Sequence, residues 1–324
     1  MKSILIFSNG EKIGDGLIKL QLLYEIKKRF PNTKIYWMTN EGKTVYNDRL
    51  KNIASQYIDE FFEQANLQYL FWKKISKKYS FENMKFNYIF DTQKAVFRTI
   101  ALKRIQCDVF ISASARGIFS SKKIPKKSKQ RKYYLDELFE LLNLIRSGKI
   151  ENNFKIKIPE KLIQKLNILF DKKYKYIGYA PGAGEKDKIW NIEKFIKVAK
   201  YFENKKYKSV FFFGPEDIVL QNKFKELFQD ALYPEEKIDD FSGPEIVIAS
   251  TQFLSCSLSN DSGVSHMLST NNCPLIKLFG PKDSKKFTPS SPMIHTINSY
   301  DFGSKDINFI PVENVIEIMK KKLS

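Results

Sequence analysis

Residues 3–31, SILIFSNGEKIGDGLIKLQLLYEIKKRFP, decide how this chain is built. The run Ser3-Ile4-Leu5-Ile6-Phe7-Ser8 is apolar and of strand length, and a short continuous apolar run bounded by turn residues reads as a strand buried on both faces. The loop at residues 9–16 carries Gly10, Gly14 and Gly16. Beyond it Leu17, Leu20, Leu23 and Tyr24 recur at helical spacing until Phe30-Pro31 stops the helix. Strand, glycine-bearing loop and helix in that order are the opening of a βαβ unit.

Outward from this unit the alternation continues. Residues 34–38, 56–61, 87–90 and 109–112 read as further strands, with a helical stretch over 94–105 and a helix over 133–145. Between them, residues 116–132 form the most basic segment, a Lys- and Ser-rich loop containing a proline. Residues 147–153 are polar and make the candidate linker. The second half repeats the theme: helix 159–170, strand 176–179, helix 192–202, strand 209–213, helix 217–230, strand 256–259, helix 263–270, strand 275–278 and a closing helix over 312–322. Strands alternating with helices predict parallel sheets covered on both faces, so the fold class is α/β. A length of 324 residues suits two domains, placed at 1–152 and 153–324.

Composition narrows the function classes. Hydrophobic residues make up 43% of the chain, enough for packed cores rather than disorder. The apolar run after Met1-Lys2 is too short for a signal-peptide core and has no small-residue cleavage site behind it, so export is not expected. No apolar stretch reaches the length of a spanning helix. Cys107, Cys256 and Cys273 are odd in number, far apart and without metal-type spacing, which fits buried thiols in a reducing compartment and a cytoplasmic location.

The net charge of +19 is nearly all lysine, since arginine occurs only at positions 29, 49, 98, 104, 116, 131 and 146. Base-edge readout and bidentate phosphate contacts favour arginine, so specific nucleic-acid recognition is not expected. The charge is equally a compositional bias or an attraction to anionic lipid headgroups and phosphorylated glycolipids at the inner face of a membrane.

Ligands of parallel-sheet domains bind where strands end and helices begin. Three such loops concentrate Gly and polar residues: residues 9–16, residues 180–188 and residues 259–266. None has the Gly-Lys-Ser/Thr ending of a nucleotide-binding P-loop or the spacing of a dinucleotide fingerprint. In the third loop, Asp261 and Ser262 are equally explained as caps of the helix opening at Gly263. The same geometry binds phosphate: free N–H groups and the positive helix end attract the anion, Gly263 permits its approach, and His266 can donate a hydrogen bond.

Asp261-Ser262-Gly263-x-x-His266, then Cys273-Pro274, then Leu278-Phe279-Gly280-Pro281 after a strand, resembles the C-terminal signature of the bacterial heptosyltransferase family. The resemblance extends to Gly14-Asp15 opening a helix that ends in Phe30-Pro31, to Asp91-Thr92-Gln93 with Arg98, and to Pro181-Gly182-Ala183 leading to Lys188-Ile189-Trp190. Departures are Gln21 and Asn191, where proline is common, and Met267-Leu268-Ser269-Thr270, where alanines are usual.

What the resemblance implies is a GT-B fold, two Rossmann-like domains facing across a cleft, with the acceptor on the first, the nucleotide sugar on the second and the last helix returning to the first. It implies an inverting glycosyl transfer in lipopolysaccharide-core synthesis from an ADP-linked sugar, with a glycolipid or glycan as acceptor. Asp15 is then the general base. Lys188 meets the departing diphosphate together with the amides of Ala183 and Gly184, the helix start at Ser262 and Gly263, Asp261 and His266. Glu216 resembles the family position that takes the nucleotide ribose, and is equally read as an exposed glutamate at a helix start. No Asp-x-Asp motif occurs and only His266 and His295 offer imidazole, so no metal and no further cofactor is expected. Two other readings stand beside this one: a non-catalytic lysine-rich protein for anionic surfaces, and a sugar-nucleotide epimerase of the same architecture.

Overall fold

The computed structural model describes residues 2–124, 134–150, 154–282, 284, 288 and 291–323. The chain divides into two units, Met1–Phe154 and Lys155–Ser324.

In the first unit the order is β1 (Lys2–Phe7), α1 (Ile13–Arg29), β2 (Thr33–Met38), α2 (Lys51–Ala54), β3 (Glu60–Phe62), β4 (Lys85–Asp91), α3 (Val96–Leu102), β5 (Gln106–Ser112) and α4 (Tyr134–Ile145). The five strands form one parallel sheet in the order β3-β2-β1-β4-β5. Because both faces are covered, the centre of β1 is apolar on successive residues: Leu5, Ile6 and Phe7 are all fully buried. The strand expected at residues 56–61 starts later, at Glu60, since Tyr57 and Ile58 follow α2 as a helical turn whose N–H groups bond back to Ala54. The basic loop begins with a tight turn at Ser114–Gly117, where Ala115 and Arg116 take left-handed φ of 48° and 57°. Residues 125–132 of it, and residues 151–153 of the expected linker, lie outside the described residues.

The second unit runs α5 (Glu160–Leu169), β6 (Lys175–Ala180), α6 (Ile192–Glu203), β7 (Tyr207–Phe211), α7 (Ile218–Leu227), α8 (Gly243–Ser250), β8 (Leu254–Asn260), α9 (Gly263–Leu268), β9 (Leu275–Phe279) and β10 (Ile294–Asn298). Its sheet is again parallel, in the order β10-β9-β8-β6-β7. Sequence reading had not assigned α8 or β10. Buried on every face from Glu245 to Ser250, α8 has no polar stripe to reveal a helical period; its one local signal is the capping box of Ser242 and Glu245. Edge strand β10 is short, and its His295, Thr296 and Asn298 are not fully buried. The closing helix (Val312–Leu323), for which a return to the first domain was implied, buries Val315 and Met319 in the core of the second unit beside Phe195, Val198 and Leu258. No helix of the described residues is long and apolar enough to cross a membrane. Cys256 and Cys273 are buried and Cys107 is half-buried; burial lifts all three thiols above their ordinary pKa.

Each sheet has one place where successive connections leave in opposite directions, and open parallel sheets bind ligands at the carboxyl ends of strands there. In the first unit this point lies between β1 and β4; in the second it lies between β6 and β8.

Candidate active site

In the first unit the switch point is closed by Thr92, whose N–H and hydroxyl both donate to the carbonyl of Phe7, at 3.0 and 2.8 Å. The loop after β1 then turns Glu11 inward. Its carboxylate accepts from Ser8 Oγ at 3.1 Å, from Trp37 Nε1 at 3.2 Å and from Thr44 Oγ1. Lys19, one turn further along α1, is buried and donates to Ser8 Oγ at 2.7 Å. Burial pushes the Lys19 ammonium below its ordinary pKa, against the opposing pull of Glu11 and Asp15. With Glu11 committed to this network, Asp15 remains exposed in the first turn of α1.

Across the same edge, Asp91 ends β4 fully buried. It accepts from Thr99 Oγ1 at 2.8 Å, Ser112 Oγ at 2.7 Å and the amide of Gln93 at 2.9 Å. Burial outweighs these bonds and raises its pKa to about 6. Arg98 turns to Glu41 at 3.1 Å.

The second unit assembles its loops by different means. Asn260, the last residue of β8, donates from Nδ2 to the carbonyl of Pro181 at 2.7 Å and accepts on Oδ1 from the amide of Trp190 at 3.2 Å. One side chain thus ties the loop after β6 to the end of β8. Trp190 is fully buried, and its indole N–H donates to Ile310 O at 3.1 Å, so the stretch carrying Lys188 is anchored in the core two residues later. Asn191 caps α6, accepting from the amide of Glu193 at 2.8 Å, which gives this departure from the usual proline its local reason. Gly182 leaves room for the Asp217 carboxylate: a Cβ there would lie 2.0 Å from Asp217 Oδ2 and would displace an oxygen that accepts from the amide of Gly214 at 2.9 Å.

On this frame sits a ladder of alternating charge. Lys277, in the middle of β9 and 2% exposed, reaches Asp261 Oδ1 at 2.7 Å. The other oxygen of Asp261 lies 3.9 Å from Lys188 Nζ, and Lys188 reaches Glu185 at 2.6 Å. Lys282 closes the ladder at 3.4 Å from Glu185. Within this ladder three ammonium groups stand against two carboxylates, an excess of one positive charge. Burial lowers the pKa of Lys277, and Asp261 pulls it back. Lys188 holds the Glu185 carboxyl below its usual range, with Lys282 contributing less.

The expected donor residues fall on this edge, with one qualification of role. Ser262 spends its hydroxyl on a capping box with Ser265, so the capping reading describes its side chain. Ala183 is half-buried, while Gly184, Glu216 and Gly263 are exposed and His266 is half-buried in the last turn of α9. A Cβ added at Gly184 or Gly263 would meet no atom within 4 Å, so packing of the protein does not demand glycine at either place. Sequence reasoning missed Lys277 and Asn260. The signal for Lys277 was present, a lysine inside the apolar run Leu275-Ile276-Lys277-Leu278-Phe279, where a charge needs a buried partner.

Residues 99–308 match the family described as Glycosyltransferase family 9 (heptosyltransferase). The chain belongs to this family. Its lipooligosaccharide heptosyltransferase 2 relative from Campylobacter jejuni strain 81116 is 24% identical over 293 residues, covering 86% of this chain and 81% of that one. Among solved structures, the family 9 glycosyltransferase of Veillonella parvula superposes with a TM-score of 0.74 at 18% identity, over 99% of this chain and 97% of the other. The E. coli heptosyltransferase WaaC with ADP gives 0.69 at 15% identity over 99% of both. This family 9 chain therefore has the two-domain Rossmann-like fold of the GT-B heptosyltransferases and is a glycosyltransferase. Neither the non-catalytic nor the epimerase reading survives that membership.

Proposed function

We propose that the enzyme performs an inverting, metal-independent transfer of a heptose or related sugar from an ADP-linked donor to a lipooligosaccharide-core or other glycan acceptor, on the cytoplasmic side of an anionic membrane. The observation that carries the donor half is the excess positive charge of Lys188, Lys277 and Lys282 at the switch point of the second sheet. A diphosphate gains charge as its bond to the anomeric carbon breaks, and preorganised cations and amides stabilise it there. Lys188 is the direct contact, joined by the amides of Ala183, Gly184 and Gly263, by Ser262 and by His266. Asp261 acts by holding Lys188 and Lys277 in place. Glu216 takes the ribose hydroxyls, and no metal or other cofactor takes part.

Asp15 is the general base. The acceptor hydroxyl gives its proton to the Asp15 carboxylate as its oxygen bonds to the anomeric carbon, and the bond from that carbon to the phosphate oxygen breaks with its electron pair leaving on the nucleoside diphosphate. The relatives support the sugar: one is a heptosyltransferase by name and another was solved with ADP.

A thermal-shift series with ADP, UDP and GDP tests the donor reading, because a ligand of the folded state raises stability with its affinity. ADP should raise the midpoint most in the wild type and lose its advantage in Lys188→Ala, while Lys186→Ala behaves as wild type. Equal shifts for all three nucleotides would overturn the adenine assignment, and activity abolished by EDTA would overturn metal independence.

A further inference from the structure

The first unit carries an aromatic surface that neither switch point uses. Phe71 is 82% exposed, Phe97 68% and Trp72 66%, with Tyr69 and Val96 exposed beside them. Single exposed hydrophobes are ordinary, but a contiguous group marks an interaction surface. Here the rings lie in two pairs from one short stretch of chain: Phe71 and Trp72 meet edge to face at 4.8 Å, and Tyr69 packs on Phe97 at 5.3 Å, joining the loop after β3 to the start of α3.

This loop is a built feature. Leu67 and Ile75 root it in the core, Gln68 N–H donates to Ile75 O at 2.9 Å, and Glu82 accepts from the amide of Ile75 at 2.9 Å. Arg104, at the far end of α3, donates to the carbonyls of Gln68 at 2.6 Å, Leu70 at 2.8 Å, Phe71 at 3.3 Å and Lys73. The clasp holds the backbone so that the rings project rather than fold inward, which removes much of the ordering cost of a later contact.

The charge around the rings is mostly positive. From residue 64 to residue 81 the chain has no acidic side chain but carries Lys73, Lys74, Lys77 and Lys78, all exposed; from residue 92 to residue 107 it again has none but carries Lys94, Arg98, Lys103 and Arg104. Lys94 and Arg98 are balanced by Glu137 and Glu41; on the loop itself the Glu82 carboxylate faces Lys74 and Arg104, and the four loop lysines still outnumber it. Aromatic rings with a polar tip favour the headgroup level of a bilayer, and clustered lysines are drawn to anionic headgroups.

We propose that Tyr69, Phe71, Trp72 and Phe97, with Lys73, Lys74, Lys77 and Lys78, dock the enzyme on an anionic lipid bilayer, the rings entering the interface and the lysines meeting headgroup phosphates. The inference rests on the part of the proposed function that puts the enzyme at a membrane, and it locates the contact.

The protein reports on this surface directly. Of its three tryptophans, Trp37 and Trp190 are fully buried, so a solvent-sensitive change in indole emission comes from Trp72. Adding phosphatidylcholine vesicles containing one third phosphatidylglycerol to the full chain should shift the emission to the blue, and pure phosphatidylcholine should not. In co-sedimentation, F71S/W72S should lower binding to the anionic vesicles about tenfold, as expected for withdrawing two rings from the interface. K73E/K74E should lower it at least as much, and K197E/K200E, exposed lysines of the second unit, less than twofold. Thermal midpoints and ADP-dependent shifts of the first two variants should equal the wild type. Binding to anionic vesicles that is indifferent to F71S/W72S and K73E/K74E overturns this surface while leaving the membrane reading standing; no binding at all overturns both. A concentration-dependent dimer abolished by F71S/W72S, without emission change on vesicles, would assign the rings to a second copy of the chain instead.

Discussion

The two switch points present carboxylates in opposite states. At the first, Asp15 is exposed at the start of α1 while its neighbour Glu11 absorbs the buried donors. At the second, Asp261 is buried and braced by Lys277 at 2.7 Å and Lys188 at 3.9 Å. The same topology therefore turns a carboxylate out to solvent in one unit and braces a buried one between two lysines in the other, and the difference lies in which side chains the loops turn inward.

The largest effect that sharpens this contrast is at Asp15. Asp15→Asn should lower turnover about 10²–10⁴-fold, the usual worth of a general base, with unchanged thermal midpoint and ADP binding; single-turnover kinetics beside a melt measure both. Near-normal turnover would break the comparison on the first unit's side.

Next comes the brace of the second unit. Lys277→Met leaves Asp261 buried without its nearest cation and should cost about 3–5 kcal/mol in urea unfolding, as removal of one partner of a buried pair does. Lys277→Met with Asp261→Asn should recover much of that loss. A loss of similar size in the double variant would show that Lys277 acts by packing alone.

Asp91 supplies a buried carboxylate that has no cation partner among the described residues. Its folded pKa, about 6, lies above its ordinary 3.8, so its contribution to stability is present below the lower value and is lost as pH rises through the upper one. Between about pH 4 and about pH 7 the wild type should lose about 2 kcal/mol relative to Asp91→Asn. Urea unfolding at the two pH values measures this, and a pH-independent difference would show that Thr99, Ser112 and the Gln93 amide hold the ionised form at no net cost.

The smallest effect is at Gly263, where an added Cβ meets no protein atom. Gly263→Ala should leave the melting midpoint within about 2 °C of wild type, the shift of a small surface change, while weakening ADP binding about tenfold by calorimetry, as for a lost hydrogen bond. Unchanged ADP affinity would remove the anion from this turn.

The sequence by itself determined the βαβ rhythm, the parallel sheets and the loops that matter. Apolar runs of strand length, Phe30-Pro31 as a stop and the turn residues at 180–188 and 259–266 are local features that act within a few residues. Family resemblance on Asp261, Gly263 and His266 was legible for the same reason, being a short motif at a helix start.

Only the tertiary structure decided which charges meet. Lys277 lies sixteen residues beyond Asp261, and it reaches the carboxylate because β8 and β9 pair with Ser259 opposite Lys277. The clasp of Arg104 on carbonyls more than thirty residues back, and the tie from Asn260 to Pro181, depend likewise on elements distant in the chain. Such contacts are set by strand register and helix packing, which depend on the whole pattern of burial rather than on neighbouring residues. That is why the sequence could mark the loops, while the burial of Asp261, the exposure of Asp15 and the outward rings of Phe71 and Trp72 became visible only in the folded chain.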